Sequence, residues 1–220
     1  MVTLNNDSKD ALPGTKVGVL IMKNTAPLCS LDETERSNSL CEIQHKYGNL
    51  DRKKLKGVYP IQVYTSYYNK FGYSYPVLAQ LESVLKGKKA LHAESGLLQA
   101  MFLSELESML LTAGHDLSRL QLPLHLKMAS GRETYQSISG KEVNAVGSDL
   151  MICDGTSVIS SILRGPDFNS RITEFTSDVL FTIYAPPRIE TGYIEASLRR
   201  IEERIRTVSH SSQTEVLQVF

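Results

Sequence analysis

Residues 150–184, LMICDGTSVISSILRGPDFNSRITEFTSDVLFTIY, constrain the fold of this chain more than any other stretch. Short apolar runs rich in Ile, Val, Leu and Phe alternate there with Asp-Gly and Gly-Pro punctuation, the pattern of buried strands separated by turns. Residues 150–153 and 156–163 predict a hairpin on Asp154-Gly155, a favoured two-residue turn. A polar loop follows, Arg164-Gly165-Pro166-Asp167-Phe168-Asn169-Ser170, which carries charge, a turn and a hydroxyl to the mouth of the sheet. Residues 178–185 read as a third strand, stopped by Pro186-Pro187. Periodicity says sheet plus polar loop and nothing about chemistry.

The remainder supplies cover for that sheet. Residues 17–22 form a continuous apolar run and predict a buried strand. Ser30 and Glu33 have capping-box spacing and predict a helix ending at Gly48. Residues 50–56 show no clear periodicity. Helices are expected over 60–71, stopped by Gly72, from Pro76 to Gly87, and over 96–114. In the last of these Leu98, Met101, Phe102, Leu106, Met109 and Leu110 recur every three or four residues, with Glu105 and Glu107 facing elsewhere. Leu122, Leu124, Leu126 and Met128 alternate with polar residues as a half-buried strand whose Pro123 suits an edge. Residues 133–138 predict a strand turned at Ser139-Gly140-Lys141. Ile194, Leu198, Ile201, Ile205 and Val208 place one stripe on a terminal helix. A helical first half and a strand-rich second half predict one α+β domain, because a sheet with a bare face needs the helices over it. Its expected limits are residues 16–208, between a loose N-terminus at 1–15 and a disordered tail at 209–220.

Charge and cysteines narrow the class. Lys plus Arg equals Asp plus Glu at 24 each, so no global field draws in nucleic acid, and RNA contact would be local and weak. Basic clusters at Arg52-Lys53-Lys54, at Lys86 with Lys88 and Lys89, and at Arg199-Arg200 with Arg204 and Arg206 read first as solvated faces. Cys29, Cys41 and Cys153 have no CxxC spacing, which argues against a disulfide framework and a zinc knuckle and suits a reducing compartment. No run approaches the roughly 18 apolar residues that span a bilayer, and no signal pattern opens the chain, so a cytoplasmic location is expected. His92 with Glu94 lacks a helpfully spaced third ligand, and there is no P-loop or dinucleotide fingerprint, so neither a metal nor a cofactor is expected.

Several pieces recur in one order: Tyr67-Tyr68-Asn69-Lys70-Phe71-Gly72, Ser83–Lys88 by number, Leu111-Thr112-Ala113-Gly114-His115-Asp116-Leu117, Gly140-Lys141-Glu142, residues 150–154, Ser160-Ser161-Ile162, Gly165-Pro166-Asp167, and Thr173 with Thr176 and Leu180-Phe181. In that order, over residues 67–187, the chain resembles the B3/4 domain, the editing module of the phenylalanyl-tRNA synthetase β subunit, and more closely its free-standing forms. The resemblance implies a three-layer sandwich of two β-sheets and a helical layer. It also implies an aminoacyl-tRNA or a free amino acid as partner, and possible trans editing of mischarged aminoacyl-tRNA. The chain departs from the family at the Gly-Gly loop with its acidic sensor of the tyrosine hydroxyl, where Pro166 replaces a glycine and Asp167 stands at the acidic position. Proline removes a backbone donor and alters how closely a ligand approaches.

On this reading His115 and Asp116 are the catalytic candidates, the carboxylate orienting the imidazole as a base; the competing reading gives Asp116 a capping role. Ser161, Arg164, Gly165, Asp167 and Asn169 are the ligand-binding candidates. Arg164 and Asp167 either pair with each other or receive an amino acid's carboxylate and ammonium. Ser160 and Ser161 alternate across a strand, no G-x-S-x-G surrounds them, and they read as hydrogen-bonding groups. An activated ester needs little more than a placed water and oriented donors, so a missing triad is compatible with hydrolysis and equally with plain binding. Two classes therefore stay open, an editing hydrolase and a non-catalytic amino-acid or tRNA binding module, with an RNA adaptor built on helix 199–206 as a third.

Overall fold

The computed structural model describes residues 4–6, 13–26, 30–87 and 95–220. Its elements are β1 (Leu4–Asn6), β2 (Lys16–Lys23), α1 (Glu33–Tyr47), α2 (Arg52–Gly57), α3 (Ile61–Asn69), α4 (Pro76–Leu85), α5 (Gly96–Ser108), β3 (Thr112–Asp116), β4 (Leu124–Met128), β5 (Thr134–Gln136), β6 (Glu142–Asn144), β7 (Leu150–Cys153), β8 (Val158–Ser161), β9 (Gly165–Pro166), β10 (Val179–Ala185), α6 (Thr191–Val208) and β11 (Gln213–Val219). Cys29, Lys88, Lys89, His92 and Glu94, which the sequence singled out, lie outside the described residues.

One sheet is antiparallel in the order β11-β2-β10-β3. Every residue of β10 is buried, which is why it reads as a run of apolar residues interrupted only by Thr182 and not as an alternation. The second sheet has the order β1-β4-β7-β8-β9, antiparallel apart from the parallel pairing of β1 with β4. Strands β5 and β6 form a separate hairpin. Helix α6 lies on one face of the four-stranded sheet. A Cβ on Gly18 would stand 2.5 Å from Ile194 Cγ2 and 3.1 Å from Leu198 Cδ1, so the helix approaches the strand as only glycine allows. Gly114 faces the same way, toward Met101 of α5 and Ile172. Alternation turns His115 and Tyr184 to the opposite face, toward the five-stranded sheet, where Tyr184 meets Ser160. The molecule is thus an α+β domain of three layers, helices, sheet and sheet, sharing one continuous core. No helix among the described residues is long and apolar enough to cross a membrane.

The structure departs from the sequence reading at several boundaries. Helix α5 ends at Ser108, not at Gly114. Met109 takes a left-handed φ of 56°, and the Glu105 carboxylate accepts the Thr112 N–H at 2.9 Å, beyond the reach of the helical ladder. Residues 112–116 then pair with β10, so tertiary pairing overrides local helical pattern. The first helix is capped by Asp32, whose side chain accepts from Thr34 N–H, and not by Ser30. The chain at Arg52–Gly57 is a short helix capped by Asp51. Asp154 closes a wider loop than a two-residue turn: it accepts from the N–H groups of Thr156 and Ser157, and its own N–H reaches Ser157 O at 3.0 Å. Strand β4 is flanked by β1 and is not an edge. Residues 213–219, expected in a disordered tail, pair along β2.

Candidate functional site

A cavity of about 650 Å³ opens between α4, α5, the start of β3 and the chain from Ile162 to Ile172. Its walls are mostly apolar, with Val77, Leu98, Met101, Phe102, Leu111 and Ile172 among them. Among the described residues three charge-bearing side chains line it: Glu105, Arg164 and Arg171.

Many main-chain and side-chain bonds hold the loop that forms the mouth. Asp149, fully buried, accepts from the Tyr67 hydroxyl at 2.8 Å and from the N–H groups of Leu150 and Leu163 at 2.9 Å each. Burial is the main influence on its carboxyl and raises its pKa. Tyr68 donates to Ile162 O at 2.6 Å, and Tyr135 to Gly165 O at 2.8 Å. Gly165 adopts a φ of 78°, a conformation that side chains resist, and with Pro166 it pairs with β8 as β9. The loop is therefore a short strand and a set of anchored turns.

Two guanidinium groups stand at the rim. That of Arg164, an exposed residue, lies 5.3 Å from the Tyr73 ring centre. That of Arg171 lies 3.6 Å from the Phe168 ring centre and donates to Phe168 O at 2.7 Å. Neither forms an ion pair with a carboxylate among the described residues. Each guanidinium carbon stands over an aromatic ring, which leaves N–H donors for an anion.

Glu105, only 3% exposed, is the acidic member. Burial lifts its carboxyl pKa to about 8, against the lowering effect of the Thr112 N–H. The sequence reading had it facing outward. In fact α5 is buried on nearly every side, and Glu105 stands one turn beyond Met101 on the cavity stripe. That i, i+4 relation was the available signal.

The proposed site residues divide into two groups. Arg164 and Gly165 line the cavity; His115, Asp116, Ser161, Asp167 and Asn169 do not. His115 is fully buried on the other face of β3, with Nδ1 2.7 Å from Ser170 Oγ and 3.9 Å from Asp167 Oδ1. Ser170 donates its hydroxyl to Asp167, so its oxygen accepts from a His115 Nδ1–H, and Nε2 is unprotonated with no partner among the described residues. Burial lowers the imidazole pKa to about 4. Asp116 points the other way along the strand. It caps the turn Leu117–Arg119 through Ser118 N–H at 3.0 Å and accepts from the Thr176 hydroxyl at 2.9 Å. It does not orient His115, and the capping reading describes it. Asp167 accepts from the N–H groups of Asn169 and Ser170 at 2.8 and 3.0 Å, its pKa raised chiefly by burial. Ser161 accepts from Arg164 N–H at 3.2 Å and lies 3.2 Å from the Tyr135 hydroxyl, while Asn169 is exposed. Asp167 and Ser161 thus shape the loop that presents Arg164 and Gly165.

The basic helix is dispersed. Arg204 is 1% exposed and reaches Ser104, Ser39, Glu107 and Glu35, Arg200 pairs with Glu107 and Glu203, and Arg206 pairs with Glu202. Among the described residues no cluster of three His, Cys, Asp or Glu side chains could hold a metal ion.

No family model matches this chain, and no curated protein matches it. Among solved structures it is similar to an N-terminal fragment of the phenylalanyl-tRNA synthetase β subunit from Pyrococcus horikoshii. The identity is 10% and the TM-score 0.49, over 97% of this chain and 50% of that one. The chain spans about half the length of that fragment.

Proposed function

We propose that this chain is a small-molecule binding module whose cavity takes an amino acid, with the apolar body inside and the carboxylate on Arg164 and Arg171. The observation that carries the reading is the pair of ring-stacked guanidinium groups, free of carboxylate partners among the described residues, at the rim of a cavity of about 650 Å³. A guanidinium fork recognises a carboxylate with both geometry and charge. The resemblance of residues 67–187 to the B3/4 domain names the ligand class to try first, and a cytoplasmic setting goes with it.

Binding is favoured over turnover by the lining. Among the described residues its hydroxyls belong to Tyr68, which donates to Ile162 O, and Thr112, which donates to Leu110 O at 3.0 Å, so each is tied to a main-chain carbonyl and neither is hydrogen-bonded to a basic side chain as an activated nucleophile requires. Trans editing of a mischarged aminoacyl-tRNA is the second reading, favoured by the open rim, where the same two cations would lie beside the phosphates of an esterified tRNA end. Thermal-shift and calorimetric titration with the amino acids tests the first reading, since a ligand of the folded state raises the melting temperature by mass action. Saturable binding is expected, and its absence across the set removes the reading. Release of amino acid from a panel of misacylated tRNAs, against buffer, tests the second.

A further inference from the structure

Among the described residues Glu105 is the one carboxyl that lines the cavity, and nothing so far assigns it a partner of opposite charge. It is 3% exposed and opens onto apolar wall. The groups facing it are the Thr112 N–H from β3 and the phenol rings of Tyr64, Tyr68 and Tyr75, which stand within electrostatic reach of the carboxyl. Those phenols are already committed: Tyr64 donates to Tyr184 O, Tyr68 to Ile162 O and Tyr75 to Met109 O. Tyr64 and Tyr75 stack with ring centres 4.7 Å apart. No lysine or arginine pairs with Glu105 among the described residues. A carboxyl held so far from water, with no protein cation beside it, is costly unless a ligand supplies one.

We infer that Glu105 receives a ligand ammonium group inside the cavity, so that the preferred ligand is an amino acid carrying an amine at the far end of its side chain. The inference rests on the amino-acid reading of the cavity and assigns its substrate class. Arg164 is exposed at the rim and Glu105 is buried within, whereas the α-carboxylate and α-ammonium of one amino acid share a carbon. With the carboxylate on the arginines, the buried end is therefore the side-chain terminus, and a flexible aliphatic stem matches the apolar walls between. The proton balance is explicit: the neutral Glu105 carboxyl gives its proton to solvent as the ammonium, already protonated, enters, and carboxylate and ammonium pair in a site of low polarity.

Lysine and norleucine share a stem and differ by that amine. Calorimetry of the whole chain with each at pH 7, in two buffers of different ionisation enthalpy, separates the outcomes. Lysine is expected to bind at least tenfold more tightly than norleucine and to release close to one proton, about 0.9 for a carboxyl whose pKa is about 8. Glu105→Gln keeps an oxygen for the Thr112 N–H, so it should fold, and it should bind lysine no more tightly than norleucine, with no proton released. Norleucine binding as well as lysine, with no proton released, overturns the role of Glu105 and leaves the cavity reading standing. Binding by neither overturns the role of Glu105, and the titration across all the amino acids then decides the cavity reading.

Discussion

The Nδ1 of His115 lies 2.7 Å from the Ser170 hydroxyl, and that hydroxyl donates to Asp167, so the three side chains form one buried chain that ties β3 to the loop after β9. This is a structural clasp facing away from the cavity. Ser170→Ala would leave the His115 N–H buried without an acceptor and is expected to cost about 1–3 kcal/mol of stability in urea unfolding. Ligand affinity should stay within twofold.

The same clasp sets an acid limit. Burial holds the His115 pKa at about 4, below its ordinary 6.5, so between those values the unfolded chain binds more protons than the folded one. Its contribution is therefore complete above about pH 6.5 and is lost as pH falls through 4. Urea midpoints of the parent and His115→Gln, measured from pH 7 down to 4, are expected to converge on the acid side.

Glu105 acts with the opposite sign. Its pKa rises from 4.5 to about 8 on folding, so between these values the folded chain holds the extra proton. Stability from this group is complete below about pH 4.5 and falls by up to about 1.4 kcal/mol per pH unit as pH climbs to 8. Glu105→Gln should flatten that decline, and urea unfolding at pH 5, 6.5 and 8 measures it. A bound ammonium ligand would also flatten it by pairing with the carboxylate.

The order of elements was legible because buried strands and amphipathic helices leave different periods. Residues 17–22 and 179–185 are apolar at nearly every position, Thr182 excepted, because both faces of their sheet are covered. What escaped was decided at long range. Residues 112–116 continue the helical pattern of α5 but are recruited by β10 across more than sixty positions of chain, and nothing local announces it. β11 carries too little apolar character to be recognised without its partner β2. For the site, Arg164 and Gly165 were readable as the punctuation of a loop. His115 and Asp116 are held apart, because neighbours in a strand point to opposite faces and adjacency in sequence then separates side chains. Glu105 was hidden by the habit of assigning glutamates to a helix's outer face, in a helix that has almost none.

Arg204 gives a prediction about the helical layer. It is buried where α6 meets α1 and α5, bonded to Ser104 at 2.7 Å and Ser39 at 2.8 Å and paired with Glu107 and Glu35. Arg204→Ala leaves Glu35 without a cation among the described residues, leaves Glu107 to Arg200 alone, and strips the buried Ser104 and Ser39 hydroxyls of their partner, at an expected cost of about 3–5 kcal/mol. Arg199→Ala, on the exposed side, should cost under about 0.5 kcal/mol by the same urea measurement.

The last prediction concerns the rim. If Arg164 and Arg171 share a ligand carboxylate, removing either leaves the other to hold it alone, and each alanine variant should lose about tenfold in affinity, near 1.4 kcal/mol. Removing both should lose less than the product of the two, because groups that bind one anion are coupled. Arg164→Lys keeps the charge but gives up the planar fork over Tyr73, and should recover only part of the loss. Asp149→Asn is the control for position without charge at the rim. Its carboxylate accepts the Leu163 N–H at 2.9 Å, one residue before Arg164, and an amide nitrogen in that place would oppose the N–H and shift the loop. It should weaken binding while costing about 1–3 kcal/mol of stability, whereas the arginine variants should weaken binding at nearly unchanged stability. Isothermal titration beside urea unfolding of the five variants separates the two effects. Equal affinity in parent and double variant would mean that the ligand's anionic end lies elsewhere.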